Sequence, residues 1–508
     1  MSPALRCYNL YQSLAQSAQR CPDNLAFVID QDEITYGQFF QHVQKVSGIL
    51  QNKYGLSKND KIILSLGNDY SFCTVLYAAM GLGIVVIPVS TKLTPTEVAP
   101  LLQQITPAWI LCHDSYAEKF ASASLEDAQL TTLSEWEKVI ESDVPPAVLP
   151  ILHSHDTAVI IFTSGTTGLP KGAIISHGNL MHGIDSYQTA FSLTEKDKTI
   201  LAVPIYHITG LAAILGLFIH IGGTIHLHRK FSAEHLLNCI EQGKVTFLHG
   251  SPTVFILLCS TLKEKKIPYN LDSIKKIACG GGHLNSGTVH EIQQYFKNSQ
   301  IHPVYGLSET SSPASIFSED ARNHAKQGSS GKAIPGVEFR ITTETGVQLL
   351  PGETGELWVK GPVVIQSYWN NPTANEASFD QGWFNTGDLA YIDSDDYLYI
   401  QGRSKDMINR GGEKVYSLEV ESLLSTFPGV KEVALVPYPS KIYGEEPMAF
   451  IVTDPSYMIT AKEIMAWSYE RLAKYKVPKK IIFMDDLPRT SNGKISKLSL
   501  KKNIKNYI

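Results

Sequence analysis

Short β-branched runs alternate with helical stretches through the first two-thirds of the chain, and this alternation narrows the possible folds more than any other feature. The runs Lys61–Ser65, Gly83–Val89, Trp109–Cys112, Thr157–Phe162 and Lys244–Leu248 contain few polar residues. Strands of that kind are buried on both faces, which requires helices above and below a largely parallel sheet. The reading is an α/β body. Beyond about Gly331 the pattern changes. Val337–Thr342, Gly355–Lys360 and Tyr397–Ile400 are separated by Pro-Gly or acidic turns, as in an antiparallel segment. The last hundred or so residues alternate again, with helices expected at Ser417–Thr426 and Ala461–Ala473 and strands at Val430–Pro437 and Met448–Thr453. These make a small α+β domain. The polar stretch Gly402–Gly412 is the expected joint, which divides the chain into 1–402 and 403–508.

At 508 residues the chain allows about three folding units of ~100–200 residues, with cores that need no disulfide staples. A formal charge of −5, from 44 basic and 49 acidic residues, supplies no basic field for a nucleic-acid partner. The seven cysteines (Cys7, Cys21, Cys73, Cys112, Cys239, Cys259 and Cys279) include no CxxC pair. They read as reduced thiols of a cytoplasmic protein. The opening segment reads as an amphipathic helix through Leu10, Leu14 and Ala18, not as a signal peptide. Leu211–Gly223, the most apolar stretch, is too short to span a bilayer and is expected to form a core helix. Ser496–Leu498 spells a peroxisomal tripeptide but is internal, so it is no address.

The strongest local signal is Thr163-Ser-Gly-Thr-Thr-Gly-Leu-Pro-Lys-Gly172, directly after an expected strand. Its four hydroxyls and three glycines offer donors to a polyphosphate, and Lys171 adds a positive charge. A Walker A loop does not fit. Counted from Gly165, Pro170 stands at the second glycine position, and Gly172 stands where Ser or Thr must follow the lysine. Further motifs follow in order. Gly280-Gly-Gly-His283 ends the expected strand Ile274–Ala278, and its glycines let backbone approach a flat ligand. Tyr305-Gly-Leu-Ser-Glu-Thr310 contains a carboxylate suited to a hard divalent ion. Phe384-Asn-Thr-Gly-Asp388 presents an acceptor for two hydroxyl donors. Gly402-Arg-Ser-Lys-Asp406 and Pro488-Arg-Thr-Ser-Asn-Gly-Lys-Ile495 complete the set. Asp393-Ser-Asp-Asp396 lacks the glycine and final glutamate of a calcium loop, since Leu398 and Ser404 occupy those places. A hairpin turn is expected there. His226 and His228 have no further ligands clustered with them, which argues against zinc.

Taken together, the motifs resemble those of the adenylate-forming (ANL) superfamily: acyl- and aryl-CoA synthetases, nonribosomal adenylation domains and beetle luciferases. The resemblance spans Thr163 to Lys494. It implies a large N-terminal adenylate-forming domain of two packed α/β sheets plus a small antiparallel β subdomain. A small mobile α+β C-terminal domain follows, hinged near Lys405. By resemblance, Thr163, Ser164, Gly165, Thr166, Thr167, Gly168 and Lys171 bind the phosphates of ATP. Gly281, Gly282, Tyr305 and Gly306 lie beside adenine, Asp388 and Arg403 hold the ribose, Thr310 lies near the phosphate, and Glu309 holds Mg²⁺. The resemblance gives Lys494 the adenylation step. A carboxylate attacking the α-phosphate is an anion approaching an anion, and a cation offsets that repulsion.

The same resemblance implies a second chemistry. Rotation near Lys405 would withdraw Lys494 and bring in Asn409-Arg-Gly-Gly-Glu413, with Gly411 and Gly412 lining the path of a pantetheine thiol. Tyr443 and Tyr475 would contact CoA. Val203-Pro-Ile-Tyr-His-Ile-Thr-Gly210 resembles the segment that gates the carboxylate pocket of CoA synthetases, so His207 is the candidate to orient the acid. Gly281, Gly306 and Ser311 complete that pocket. Amino-acid-activating domains place an Asp nearby in a Phe-Asp context, where this chain has Tyr206-His207. The expected function is an ATP-, Mg²⁺- and CoA-dependent acid–thiol ligase. Loading of a phosphopantetheinyl carrier protein is the nearest alternative, followed by a luciferase-like oxygenase and then a non-catalytic binding protein. The expected partners are small molecules, and the chain is expected as a monomer or homodimer without a membrane span.

Overall fold

The computed structural model describes residues 9–121, 128–163, 170–265, 269–284, 286–490 and 494–504. A six-stranded sheet has the order Gln129–Thr132, Trp109–Cys112, Lys61–Ser65, Val85–Pro88, Thr157–Thr163, Lys171–Ser176. Its first five strands run parallel and only the last pair is antiparallel. A five-stranded sheet begins with Phe247–Gly250, Lys276–Cys279 and Gln300–Tyr305 in parallel and ends in two short antiparallel strands. A four-stranded sheet orders Asp32–Thr35, Leu25–Ile29, Thr224–Leu227 and Lys198–Leu201. The α/β body thus contains three ladders where two were expected. Thr246 accounts for the difference: just before the strand Phe247–Gly250, its N–H donates to Lys198 O at 2.9 Å, joining the five-stranded piece to the first residue of the strand Lys198–Leu201.

Apolar content dictates the layering. The helix Tyr70–Leu82 is buried all round from Phe72 to Leu82 and packs as an interior helix between layers. Asp69 caps its start, and Gly83, at φ 69°, ends it. Leu10, Leu14 and Ala18 form the buried stripe of the helix Leu10–Arg20. The apolar stretch after Thr209 is buried as expected but winds as a wide π-type helix over Thr209–Gly216 before the α-turns Leu217–Ile221. The expected strand at Lys244 begins later, at Phe247, because Lys244 terminates the preceding helix in the left-handed region at φ 53°. Among the described residues no helix is long and apolar enough to cross a membrane.

The third part is antiparallel, as its turns predict. Glu338–Thr342, Gly355–Lys360, Trp383–Ile392 and Phe379–Asp380 form the main path, and Leu398–Arg403 pairs with Trp383–Ile392. The acidic run at Asp393 makes the hairpin turn between those last two strands and pairs with Lys326. A 3₁₀ turn, Ser404–Asp406, leads to the final sheet. That sheet orders Glu413–Val415, Ile408–Arg410, Gly444–Thr453 and Val430–Ser440, with Lys480–Phe483 on the other edge of Gly444–Thr453. Its core is separate from that of the body: Val420, Leu424, Leu435, Ile451 and Ile464 pack together. The helices Ser417–Leu424 and Ala461–Tyr469 cover it.

Candidate active site

Asp388 and Arg403 are direct register partners on neighbouring antiparallel strands. The pairing sets Arg403 Nε 2.8 Å from Asp388 Oδ1. Tyr305, at the end of a strand in another sheet, donates its hydroxyl to Asp388 Oδ2 at 2.6 Å. Thr386 fixes the backbone here: its hydroxyl donates to Leu357 O and accepts from the Asp388 N–H. Asp388 is almost fully buried, and burial pushes its carboxyl up while Arg403 and Tyr305 pull it back. Burial raises the Tyr305 phenol well above its ordinary value, so it remains a donor.

Glu309 sits in the 3₁₀ turn Ser308–Thr310. Its Oε1 accepts from the Tyr368 hydroxyl at 3.0 Å and lies 3.4 Å from Thr163 Oγ1. Both described donors converge on one carboxylate oxygen, leaving Oε2 for an ion. A single carboxylate shared with substrate phosphates is the donor set Mg²⁺ accepts, so the site fits it. The Thr310 hydroxyl is turned inward, accepting from Leu307 N at 2.9 Å and donating to Leu307 O, and its side chain is fully buried. In this structure it shapes the Glu309 turn.

Lys494 reaches this cleft from the C-terminal domain. Its segment is tied back by Thr490 N to Lys494 O at 2.8 Å and by an antiparallel bridge between Arg489 and Ile495. Arg489 itself is held by both oxygens of Glu432 at 2.7 Å. The Lys494 side chain retains solvent access, as a group in an open cleft does. Surrounding protein lowers its ammonium pKa, chiefly by burial and then by repulsion from Arg403, while Asp388 and Glu309 act in the opposite sense. Two acids and two cations from both domains therefore act on one another here. The domains also touch through His283 Nε2 and Ser422 Oγ at 2.7 Å, Lys263 and Asp454 at 2.5 Å, and Lys414 and Glu344 at 3.5 Å.

Burial, with Lys494 and Lys92 as further causes, pushes the pKa of His207 down to about 4, so its ring is neutral near pH 7. Its Nε2 is buried without a partner, and so is Ser311 Oγ. Orphaned polar atoms of this kind invite a ligand. His207 lies two residues before the π-type helix, a winding that often marks functional sites. Gly281 has φ 74° and faces open space, so a side chain there would be strained and would fill that space. Gly306 lies close under Pro313, where a Cβ would approach Pro313 Cα at 3.2 Å.

Of the phosphate-loop expectations, Thr163 and Lys171 are described, while Ser164, Gly165, Thr166, Thr167 and Gly168 lie outside the described residues. Gly282 lies near Pro252, whose Cδ a Cβ there would approach at 3.3 Å. Gly411 and Gly412 occupy the turn between Ile408–Arg410 and Glu413–Val415. That hairpin packs on Tyr443: Gly411 N donates to Tyr443 O at 2.8 Å, and the Arg410 guanidinium lies 3.8 Å from the Tyr443 ring centre. Tyr475 packs against the C-terminal core. Among the described contacts, none links these four residues to Asp388, Arg403, Glu309 or Lys494. Lys405 lies in the 3₁₀ turn, its carbonyl accepting from Lys501 at 3.1 Å. Sequence reasoning missed Tyr368 and Ser422, and it assigned no role to Thr386 within the Phe384–Asp388 motif. An aromatic pair, Tyr368-Trp369, was the only signal for the first.

Comparison with known proteins defines the class. The AMP-binding enzyme family matches residues 14–369, and the AMP-binding enzyme C-terminal domain matches residues 419–494. The chain belongs to this adenylate-forming family. It is 32% identical over 488 residues to a 2-succinylbenzoate–CoA ligase of Bacillus licheniformis, covering 96% of this chain and 98% of that protein. The solved o-succinylbenzoate CoA synthetase of Bacillus subtilis, in complex with its acyl-adenylate intermediate, superposes with a TM-score of 0.85 at 30% identity over 96% of this chain and 97% of that one. ATP-bound MatB from Rhodopseudomonas palustris gives 0.89 at 28% identity, covering 98% of this chain and all of that one. Within its family the chain is an AMP-forming acid–thiol ligase, an ATP-dependent enzyme that works through an acyl adenylate.

Proposed function

We propose that the acid is an aryl or aryl-substituted carboxylate of the 2-succinylbenzoate kind and that the thiol is CoA. The near full-length likeness to 2-succinylbenzoate–CoA ligases supports this, as does the 30% identity, over 92% of this chain and 94% of that protein, to a feruloyl-CoA synthase of Amycolatopsis. The observation that carries the mechanism is the entry of Lys494 into the cleft that holds Asp388, Arg403 and Glu309. A carboxylate oxygen attacks the α-phosphorus and pyrophosphate leaves. Lys494 offsets the charge that develops there, and Lys171 screens the phosphates. Asp388 accepts the ribose hydroxyls, and Arg403 keeps its carboxylate ionised. The neutral His207 offers Nε2 to the acid without adding charge. Glu309 would hold Mg²⁺, which would supply charge neutralisation to the phosphate oxygens.

The second step requires a different arrangement. Rotation at Lys405 divides the chain functionally into 1–402 and 403–508 and exchanges Lys494 for the Gly411–Gly412 hairpin. The CoA sulfur then attacks the acyl carbon, AMP leaves, and the thiol proton passes to solvent. Tyr443 and Tyr475 belong to the CoA path in this reading. A monomer or homodimer is the proposed state. A cytoplasmic location fits the six described cysteines, all free. The test is pyrophosphate release with 2-succinylbenzoate, ferulate, malonate and a fatty acid, each with CoA or a holo-carrier protein as acceptor. Aryl acids with free CoA are expected to be at least about tenfold faster, one factor of ten in rate. Faster turnover of malonate or the fatty acid would overturn the acid class. Preference for the carrier would overturn the acceptor.

A further inference from the structure

We propose that Tyr368 is a positioning residue that orients the metal-binding carboxylate Glu309 and, through its ring, the phosphate-loop Lys171. The inference rests on the adenylation reading above. Three independent restraints hold Tyr368. Its backbone lies against the strand Lys171–Ser176, bridging Ala173, while Trp369 N donates to Gly172 O at 2.7 Å. That approach requires Gly172, because a Cβ there would come within 3.2 Å of Trp369 Cβ and 2.9 Å of Ile160. Asn375 holds Tyr368 from both sides, accepting from its N–H at 2.7 Å and donating to its carbonyl at 3.2 Å. Phe379 meets its ring edge-on at 5.8 Å. A side chain with so many restraints has one place for its hydroxyl.

That place is Glu309 Oε1, at 3.0 Å. The same segment also holds the Glu309 backbone, since Ile365 N donates to Glu309 O at 2.9 Å. The Tyr368 ring also carries the Lys171 ammonium, 5.1 Å from the ring centre and within cation–π range. One residue thus touches the carboxylate for the ion and the cation for the phosphates. The hydroxyl selects which carboxylate oxygen is left for the ion, and the ring stations the lysine. Outer partners of a ligand carboxylate tune metal affinity without touching the metal.

The experiment is calorimetric binding of ATP to the full chain in EDTA and in Mg²⁺, with no acid present. Tyr368→Phe keeps the ring and removes the hydroxyl. It is expected to cut the Mg²⁺-induced gain in ATP affinity about tenfold or more, while metal-free affinity stays within about twofold. In a Glu309→Gln background the same change is expected to cost nothing further, because both act through one carboxylate. Tyr368→Leu also removes the seat of Lys171 and is expected to weaken metal-free ATP binding about two- to fivefold. A wild-type Mg²⁺ gain in Tyr368→Phe, or an equal loss with and without Glu309, would overturn the role of Tyr368. Failure of the wild-type chain to bind ATP would instead overturn the adenylation reading itself.

Discussion

Asp388 and Lys494 face the same cleft but are held there in different ways. Asp388 is buried, bonded through both oxygens and locked by Thr386 to the neighbouring strand. Lys494 keeps solvent access on a segment anchored within the C-terminal domain, far along the chain from the body it serves. Across the seam the described side-chain contacts include one exposed ion pair, one half-buried ion pair and one imidazole–hydroxyl bond. The proposed rotation at Lys405 would leave the Asp388–Arg403 pair with the body and would break seam contacts of this weaker kind. Surface ion pairs are worth about 0–1 kcal/mol each, so a few of them can bias a domain without locking it.

That contrast can be broken in steps of decreasing size. Gly412→Leu places bulk on the exposed hairpin, which packs on Tyr443. It is expected to slow thioester formation about tenfold or more while acid-dependent ATP–pyrophosphate exchange continues, a loss of one or more factors of ten in one step only. Equal slowing of both reactions would remove the hairpin from the thiol path. Lys263→Ala removes a cation that is more than half exposed from its pairing with Asp454. The expected change in exchange rate is at most about fivefold, and it should shrink in high salt as the pair is screened. A large, salt-independent effect would mean that the seam is rigid after all.

Much of this was legible in the sequence, and the pattern of what was not is physical. Gly355–Lys360 forms the expected strand, and Lys61–Ser65 does too, because apolar runs bounded by turns are local signals. The phosphate loop, Glu309, Asp388 and Lys494 stood out because their chemistry lies in contiguous motifs. Other features depend on pairings far apart in the chain. Thr246 joins two ladders by bonding to Lys198, and Tyr368 reaches Glu309 from 59 residues away. The inward turn of the Thr310 hydroxyl was invisible because its partners are backbone atoms of its own turn. The hydrogen bond from Tyr305 to Asp388, two residues singled out separately, emerged only when two sheets were set side by side.

In the proposed mechanism, Lys494 serves adenylation alone and its domain then withdraws it. Lys494→Ala tests it through the two half-reactions measured separately. Acid-dependent ATP–pyrophosphate exchange is expected to fall by about 10²–10³, the usual cost of removing one transition-state contact to developing charge. Thioester formation from supplied acyl-AMP and CoA is expected to continue near the wild-type rate. Normal exchange in the variant, or equal loss of both half-reactions, would contradict the account.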